Sequence, residues 1–406
     1  MLSSSESTNC KVKLVAIAKD ESAYFAEWLI HHLNCGFDAI DIYINRTTDN
    51  SLELLKKVSE AYPQVSFVKA DWVDGAGPKA AERLQFIIYA MVLEELKNKG
   101  EYTHVCFLDI DEFWVHQGDQ SNVKSFIDSF NPNDVVYLEW LVDFGRDIPF
   151  SLLSDKMEGY LSPLGKCIYP VGVSIDQVRL HISSFKNNQK VVLADNSEYQ
   201  EHSEKQQALC DTGSSLKQSF VFHRANRSQM EYISLTLRGR PSSTFPFKEN
   251  RNGLPDDQKQ RLTVTLKGAL YQNRTELFDQ FLSVCNIHDD YHTAKAFVEA
   301  RYNKTLEQVK CFVNDHYEVM LSIFAGVKDK HLTQFFTEYR RQQVLARPND
   351  ADLLRDLAVQ AYHQDIDECV DLINQAKSLR PNGPMINKLR ERYLLAQLAQ
   401  KQDQSM

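Results

Sequence analysis

The chain has 406 residues, with 46 Lys and Arg against 55 Asp and Glu, a net charge of −9, and 43% hydrophobic residues. That composition excludes disorder as the main state and supplies core for two or three domains. The acidic balance argues against a partner of nucleic-acid class. The apolar run FIIYAMVL (86–93) is too short to span a bilayer, and MLSSSESTNCK at the start lacks the apolar stretch of a signal peptide. No two cysteines have C-x-x-C spacing, so neither a zinc nor a redox site is expected. These features together predict a cytoplasmic protein.

The first 115 residues alternate regularly. KVKLVAIA (11–18) predicts a buried strand. SAYFAEWLIHHLNCG (22–36) has helical spacing, with Phe25, Trp28, Leu29, His32 and Leu33 on one side and Gly36 as a cap. DAIDIYIN (38–45) predicts a second strand, NSLELLKKVSEAY (50–62) a helix stopped by Pro63, and QVSFVKAD (64–71) a third strand. A loop with Gly75, Gly77 and Pro78 leads into a helix over about 79–98, and THVCFLDI (103–110) is the fourth strand. This order predicts an α/β fold, a parallel sheet with helices on both faces. Ligands of such sheets bind beyond the carboxyl ends of the strands.

From about 134 to 224 short apolar runs dominate: DVVYLEWLV, GKCIYPVGV, KVVLAD and QSFVFH. They predict a mixed continuation of the sheet. After about 255 the chain reads as almost wholly helical. There ARPNDADLLRDLA (346–358) is echoed by LRPNGPMINKLRE (379–391), with Pro348 and Pro381 33 residues apart. That spacing is near the period of tetratricopeptide helix pairs. The expected organisation is a disordered N-terminus over 1–10, a mixed α/β domain over 11–250, a helical extension over 251–335 and a tetratricopeptide-like region over 336–406.

The most informative stretch is VCFLDIDEF (105–113), where an apolar strand ends in Asp109-Ile110-Asp111-Glu112. If strand geometry persists, Asp109 and Asp111 share one side. Two carboxylates at a strand's carboxyl end suit Mg²⁺ or Mn²⁺, ions that keep open positions for substrate phosphates. A bare D-x-D is common, and a solvated acidic turn is the plain alternative. Its place at the end of the fourth strand favours metal chemistry.

Several motifs in order resemble the bacterial family-2-like glycosyltransferases of the GT-A fold, related to glycosyltransferase family 92. They are AIAKDESAYFAEWLIHHLNCGFDAIDIYIN (16–45), NRTTDNS (45–51), FLDIDEF (107–113), EWLVDFG (139–145) and FHRANRSQMEYISLTLRGR (222–240). The resemblance spans about residues 11–240. It implies a GT-A fold and transfer of a sugar from a UDP- or GDP-sugar donor to an acceptor hydroxyl, with Mn²⁺ or Mg²⁺ as cofactor. The acceptor would be a glycan or a lipid-linked sugar of cell-surface polysaccharide. With no membrane span in the sequence, a lipid-linked acceptor would be reached by peripheral membrane association or through a partner, and the helical C-terminus is a place where a protein partner could bind.

By the same resemblance Asp109 and Asp111 hold metal and diphosphate, and Lys19, Asp20 and Glu21 line the nucleotide. Asn45 and Asp49 fall in a second nucleoside-contacting turn, where Ile44 departs from the Asp of many relatives. GT-A enzymes often add a histidine to the metal shell, and His181 and His223 both end apolar runs. His31 and His32 sit mid-helix and read as structural. Arg224, Arg227, Arg238 and Arg240 form a basic cluster, of which Arg238 matches the family segment as a diphosphate ligand; Lys166 is a weaker candidate. An inverting transferase needs a carboxylate base. Asp143 is the first candidate and Glu112 the second. Trp140 could stack on an acceptor sugar or pack in the core.

Two other readings compete. One is a GT-A domain of weak or lost turnover that serves as a nucleotide-sugar-binding or protein-interaction module. The other is a nucleotidyltransferase, disfavoured because AKDESAYF after the first strand has no glycine.

Overall fold

The computed structural model describes residues 10–118, 122–239, 244–255, 258–362 and 365–403. The expected disordered N-terminus lies, but for Cys10, outside the described residues. Two compact units make up the chain, Met1–Gly326 and Val327–Met406.

The first unit opens with β1 (Val12–Ala18), α1 (Ser22–Asn34), β2 (Ala39–Ile44), α2 (Ser51–Ala61) and β3 (Val65–Lys69). These strands pair in parallel in the order β3-β2-β1. Their sequences are rich in Val and Ile because both faces are covered: Leu14, Ala16 and Ile42 enter the core under α1 and α2, while Val15 and Tyr43 enter a second core on the other face. A 3-10 turn (Asp71–Ala76), α3 (Pro78–Glu82) and α4 (Leu84–Lys99) follow. The expected single helix over 79–98 is thus two helices, broken at Arg83, whose φ of −102° and ψ of 11° leave the helical region. Gly100 then ends α4 in the left-handed conformation.

β4 (His104–Phe107) pairs in parallel with β1 and stops three residues earlier than the apolar run suggests. A turn carries the chain into β5 (Glu112–His116), followed by α5 (Val123–Ile127), β6 (Val135–Asp143), β7 (Lys156–Pro170), β8 (Ile175–Gln177), β9 (Ser184–Phe185), β10 (Val191–Leu193), β11 (Ser219–His223) and α6 (Gln229–Thr236). Ser228 and Glu231 form a reciprocal cap on α6. The ten-stranded sheet has eight strands in the order β3-β2-β1-β4-β7-β6-β11-β5, with β10 paired to β6 and a later strand to β7, and is mixed: β7 is antiparallel to β4 and β6, and β5 is antiparallel to β11.

The region after 255 is not wholly helical. Its first element is β12 (Leu262–Thr265), antiparallel to β7; a short alternating segment gains ladder partners only through tertiary contact. Then come α7 (Ala269–Gln272), α8 (Arg274–Cys285) and the long α9 (His288–Ile323), kinked at His316. α8 and α9 pack on α1, α2 and α6, so the extension expected over 251–335 belongs to the first unit's body up to Gly326.

The second unit holds α10 (Lys330–Ala346), α11 (Ala351–Ala361), α12 (Ile366–Leu379) and α13 (Pro384–Asp403), each packed on the next. Its core includes Leu354, Leu357, Ala358, Ile373, Ile386 and Tyr393. Both R-P-N segments are interhelical turns. Arg347 and Arg380 end their helices with matching geometry, φ −136° with ψ 66° and φ −136° with ψ 76°. No helix among the described residues is long and apolar enough to cross a membrane.

Candidate active site

The D-x-D segment is a turn between β4 and β5, closed by the Glu112 amide donating to the Asp109 carbonyl at 2.9 Å. Strand alternation therefore does not set its carboxylates. Asp109 instead faces Lys166, 3.3 Å from Oδ2, and Gln85. Asp111 faces His223, with 3.7 Å between Oδ1 and Nε2. The cause of the second pairing is register. β11 lies beside β5 with His223 opposite Glu112, and the Arg224 amide donates to the Asp111 carbonyl at 2.7 Å.

Charge on this turn is finely divided. Burial works against the Asp111 carboxylate, but His223, Arg227 and Arg251 hold it well below the usual carboxylate range. Burial would lower His223, and the neighbouring Asp111 outweighs it. Glu112 has no exposed surface; it accepts the Asp109 amide at 2.9 Å and lies 3.3 Å from the Lys166 ammonium. Burial pushes its carboxyl up to about 7 against the pull of Lys166. Lys166 is itself 3% exposed, and Asp109 and Glu112 hold it well above its usual value although burial opposes them. A glycine puts it there. A Cβ on Gly165 would lie 2.1 Å from the Leu138 carbonyl oxygen, so only glycine lets β7 approach β6 this closely.

His181 donates from Nδ1 to the Gly165 carbonyl at 3.0 Å, which leaves Nε2 as the lone-pair nitrogen. Burial pushes its pKa down to about 4, so the ring is neutral. Trp140 lies between the two histidines, with centroids 4.9 Å from His181 and 4.2 Å from His223. At 8% exposed it is a packing residue and no open platform for a sugar. Among the described residues no three His, Cys, Asp or Glu side chains converge as a protein-only metal cage. A Mg²⁺ or Mn²⁺ ion held by one or two carboxylates plus substrate phosphates and water needs no such cage. Asp111 and the 34%-exposed Asp109 fit that simpler requirement.

The segment after β1 supplies the next group. Burial raises Glu21, but Arg227, 3.0 Å away, and Arg238 outweigh it and keep the carboxyl low. Asp20 takes a left-handed φ of 51° and accepts the Thr48 amide and hydroxyl at 2.6 and 3.2 Å. Lys19, Asp20, Thr48 and Arg238 line a cavity of about 640 Å³ at the carboxyl ends of β1 and β2. The opposite wall is α9, through Phe297, Ala300, Arg301, Lys304 and Gln308.

Other expected residues lie elsewhere. Asp49 accepts the amides of Ser22 at 2.9 Å and Ser51 at 3.0 Å, so it pins the start of α1 and turns the chain into α2. Asn45 donates to Asp71 and Asp74, both at 3.3 Å. Asp143 is 2% exposed and accepts the Asn226 amide at 3.0 Å, and its carbonyl takes the Asn226 side chain. It braces the 224–227 loop. Neither it nor the fully buried Glu112 is open to an acceptor hydroxyl. Arg224 is anchored to Glu27 at 2.7 Å behind the sheet. Arg240 is outside the described residues.

Sequence reasoning missed the α9 wall. A signal was present: Phe297, Arg301, Lys304 and Gln308 are spaced four, three and four residues apart, one helical face with a basic centre.

Residues 14–157 match the model of Glycosyltransferase family 92. The match supports a family 92-related glycosyltransferase domain and does not favour a binding-only module. It reaches from β1 through the D-x-D turn into β7 and leaves His181, His223, Arg238 and α9 outside. Among curated proteins none matches the chain.

Proposed function

We propose that the protein is a metal-dependent GT-A glycosyltransferase that moves a sugar from a nucleotide-diphosphate donor to an acceptor hydroxyl of a glycan or lipid-linked saccharide. The observation that carries this reading is the Asp109–Glu112 turn at the carboxyl end of β4, with an ionised, partly open Asp111, inside the segment that matches a glycosyltransferase family. The strand order β3-β2-β1-β4 with a cavity beyond β1 and β2 supports it, because open parallel sheets bind nucleotides at that end.

Asp111 and Asp109 would hold Mn²⁺ or Mg²⁺, with the Nε2 atoms of His223 and His181 in reserve. The ion would neutralise charge on the diphosphate leaving group. The chain's own residues do the rest. Glu21 fixes Arg227 and Arg238 beside the site. Lys166 holds Asp109 in place from behind. Lys19, Asp20 and Thr48 line the nucleoside end.

The deciding experiment is nucleotide release from a panel of UDP- and GDP-sugars with Mn²⁺, Mg²⁺ or EDTA, comparing the protein with Asp111→Asn. Hydrolysis of one donor that EDTA and the substitution both abolish is the expected result. No hydrolysis together with no metal-dependent nucleotide binding would overturn the reading.

A further inference from the structure

The cavity beyond β1 and β2 carries more positive charge than an uncharged nucleoside calls for. Lys19, Arg238, Arg301 and Lys304 line it, and two carboxylates answer them: Asp20 in the lining and Glu21, which pairs with Arg238. Asp20 is already engaged by Thr48 and by Arg301, 3.5 Å away. Lys248 lies close by. Burial and the Arg238 and Arg251 guanidiniums hold its pKa well below the usual value, and burial lowers Lys19 and Arg301 as well. The Arg238 Nε is buried without a hydrogen-bond partner. Among the described residues no carboxylate is within ion-pair distance of Lys19, Lys248 or Lys304. Like charges crowded out of water cost free energy, and a bound anion offsets that cost.

We propose that this cavity is a phosphate-binding subsite in which Arg301 and Lys304 of α9, with Lys19 and Arg238, hold a phosphoryl or diphosphate group directly, with no bridging metal ion. Guanidinium forks match phosphate oxygens in pairs, and an ammonium adds a mobile point charge. A volume of about 640 Å³ admits a diphosphate with the organic group it is attached to. Such a group could come from the nucleotide donor or from a phosphorylated acceptor. Only that choice of source rests on the transferase reading.

The test is calorimetric titration of the whole protein with inorganic pyrophosphate in EDTA. Binding is expected, weakened about tenfold or more by Lys304→Glu and by Arg301→Gln. Arg301 also donates to Ser234, so its replacement could disturb folding. Lys304 is exposed and has no such tie, which keeps the comparison decisive. No binding to the parent protein in EDTA, or undiminished binding to Lys304→Glu, would overturn the subsite. Adding UDP or GDP to the pyrophosphate-loaded protein separates the sources: displacement assigns the subsite to the donor, and simultaneous binding assigns it to a phosphorylated acceptor; either upholds it. Absence of both donor hydrolysis and metal-dependent nucleotide binding would remove the transferase reading and leave this one standing, whereas failure of pyrophosphate binding would do the reverse.

Discussion

Lys166 decides how the turn's carboxylates are held. Removing one member of a buried ion pair leaves an uncompensated charge, a loss of about 3 kcal/mol or more. Lys166→Met should therefore lower unfolding stability by about that amount, and adding Glu112→Gln should recover part of it. Urea unfolding of the two single variants and the double variant measures the coupling; an unshifted midpoint for Lys166→Met would show that the pair holds nothing. Asp143 is the opposite case. Its role in the structure is to accept the Asn226 amide, which an asparagine side-chain oxygen also does. Asp143→Asn should keep donor and acceptor turnover within a few-fold. A catalytic base would lose about a hundredfold or more, so the rate of sugar transfer separates bracing from catalysis. The D-x-D turn itself was legible, because an apolar strand running into acidic residues marks where a ligand edge begins. Lys166 was barely legible, since its partner Asp109 is 57 residues away and the meeting depends on β7 returning beside β4.

At the level of elements, α1 latches β5 through two adjacent histidines. His31 donates from Nε2 to the Trp114 carbonyl at 2.7 Å and accepts from Arg274 at Nδ1. His32 donates from Nδ1 to the Trp28 carbonyl at 2.8 Å and accepts the Trp114 amide at Nε2. Both rings are thus fixed as neutral tautomers. Burial pushes His32 down to about 3 and His31 well below its ordinary value. Their folded pKa values lie under the unfolded value of about 6.5. The unfolded chain then binds more protons between those limits, and the latch loses stability as pH falls below 6.5 at up to about 1.4 kcal/mol per unit for each ring. Glu112 and Glu139, both pushed up to about 7 by burial, act in the opposite sense in the same window. The difference between the parent and His32→Gln is therefore the measurement: denaturant unfolding at pH 7.5, 6 and 5 should show a shallower acid loss in the variant. Parallel slopes would acquit the latch. The structural role of the two histidines was readable from their place in the middle of a helix. Less readable were the break at Arg83, the early end of β4 and the strand β12. Each is set by a neighbour rather than by local propensity, and β12 becomes a strand only because β7 offers it an edge.

On the scale of the whole chain, the two units share no core residues: the two cores of the first unit draw on residues up to Val298, and that of the second is confined to α10–α13 and the adjoining turns. Most of the helical character expected after about 255 and the echo of the R-P-N segments could be read directly, but β12 and the division at Gly326 could not, because helical periodicity does not say which segments share a core. The end of the first unit is tied internally. The Tyr232 hydroxyl donates to the Ile323 carbonyl at 2.8 Å, and the Leu254 amide donates to the Ala325 carbonyl at 2.8 Å. A chain ending at Gly326 keeps those bonds, the D-x-D turn and every residue lining the cavity beyond β1 and β2. It should fold cooperatively and release nucleotide from the donor within a few-fold of the full chain, whereas calorimetry of the full chain should resolve two thermal transitions. Loss of hydrolysis in a truncated protein whose circular dichroism and single transition remain intact would mean that the second unit contributes to the chemistry. A single shared transition in the full chain would mean that the two cores do not unfold independently.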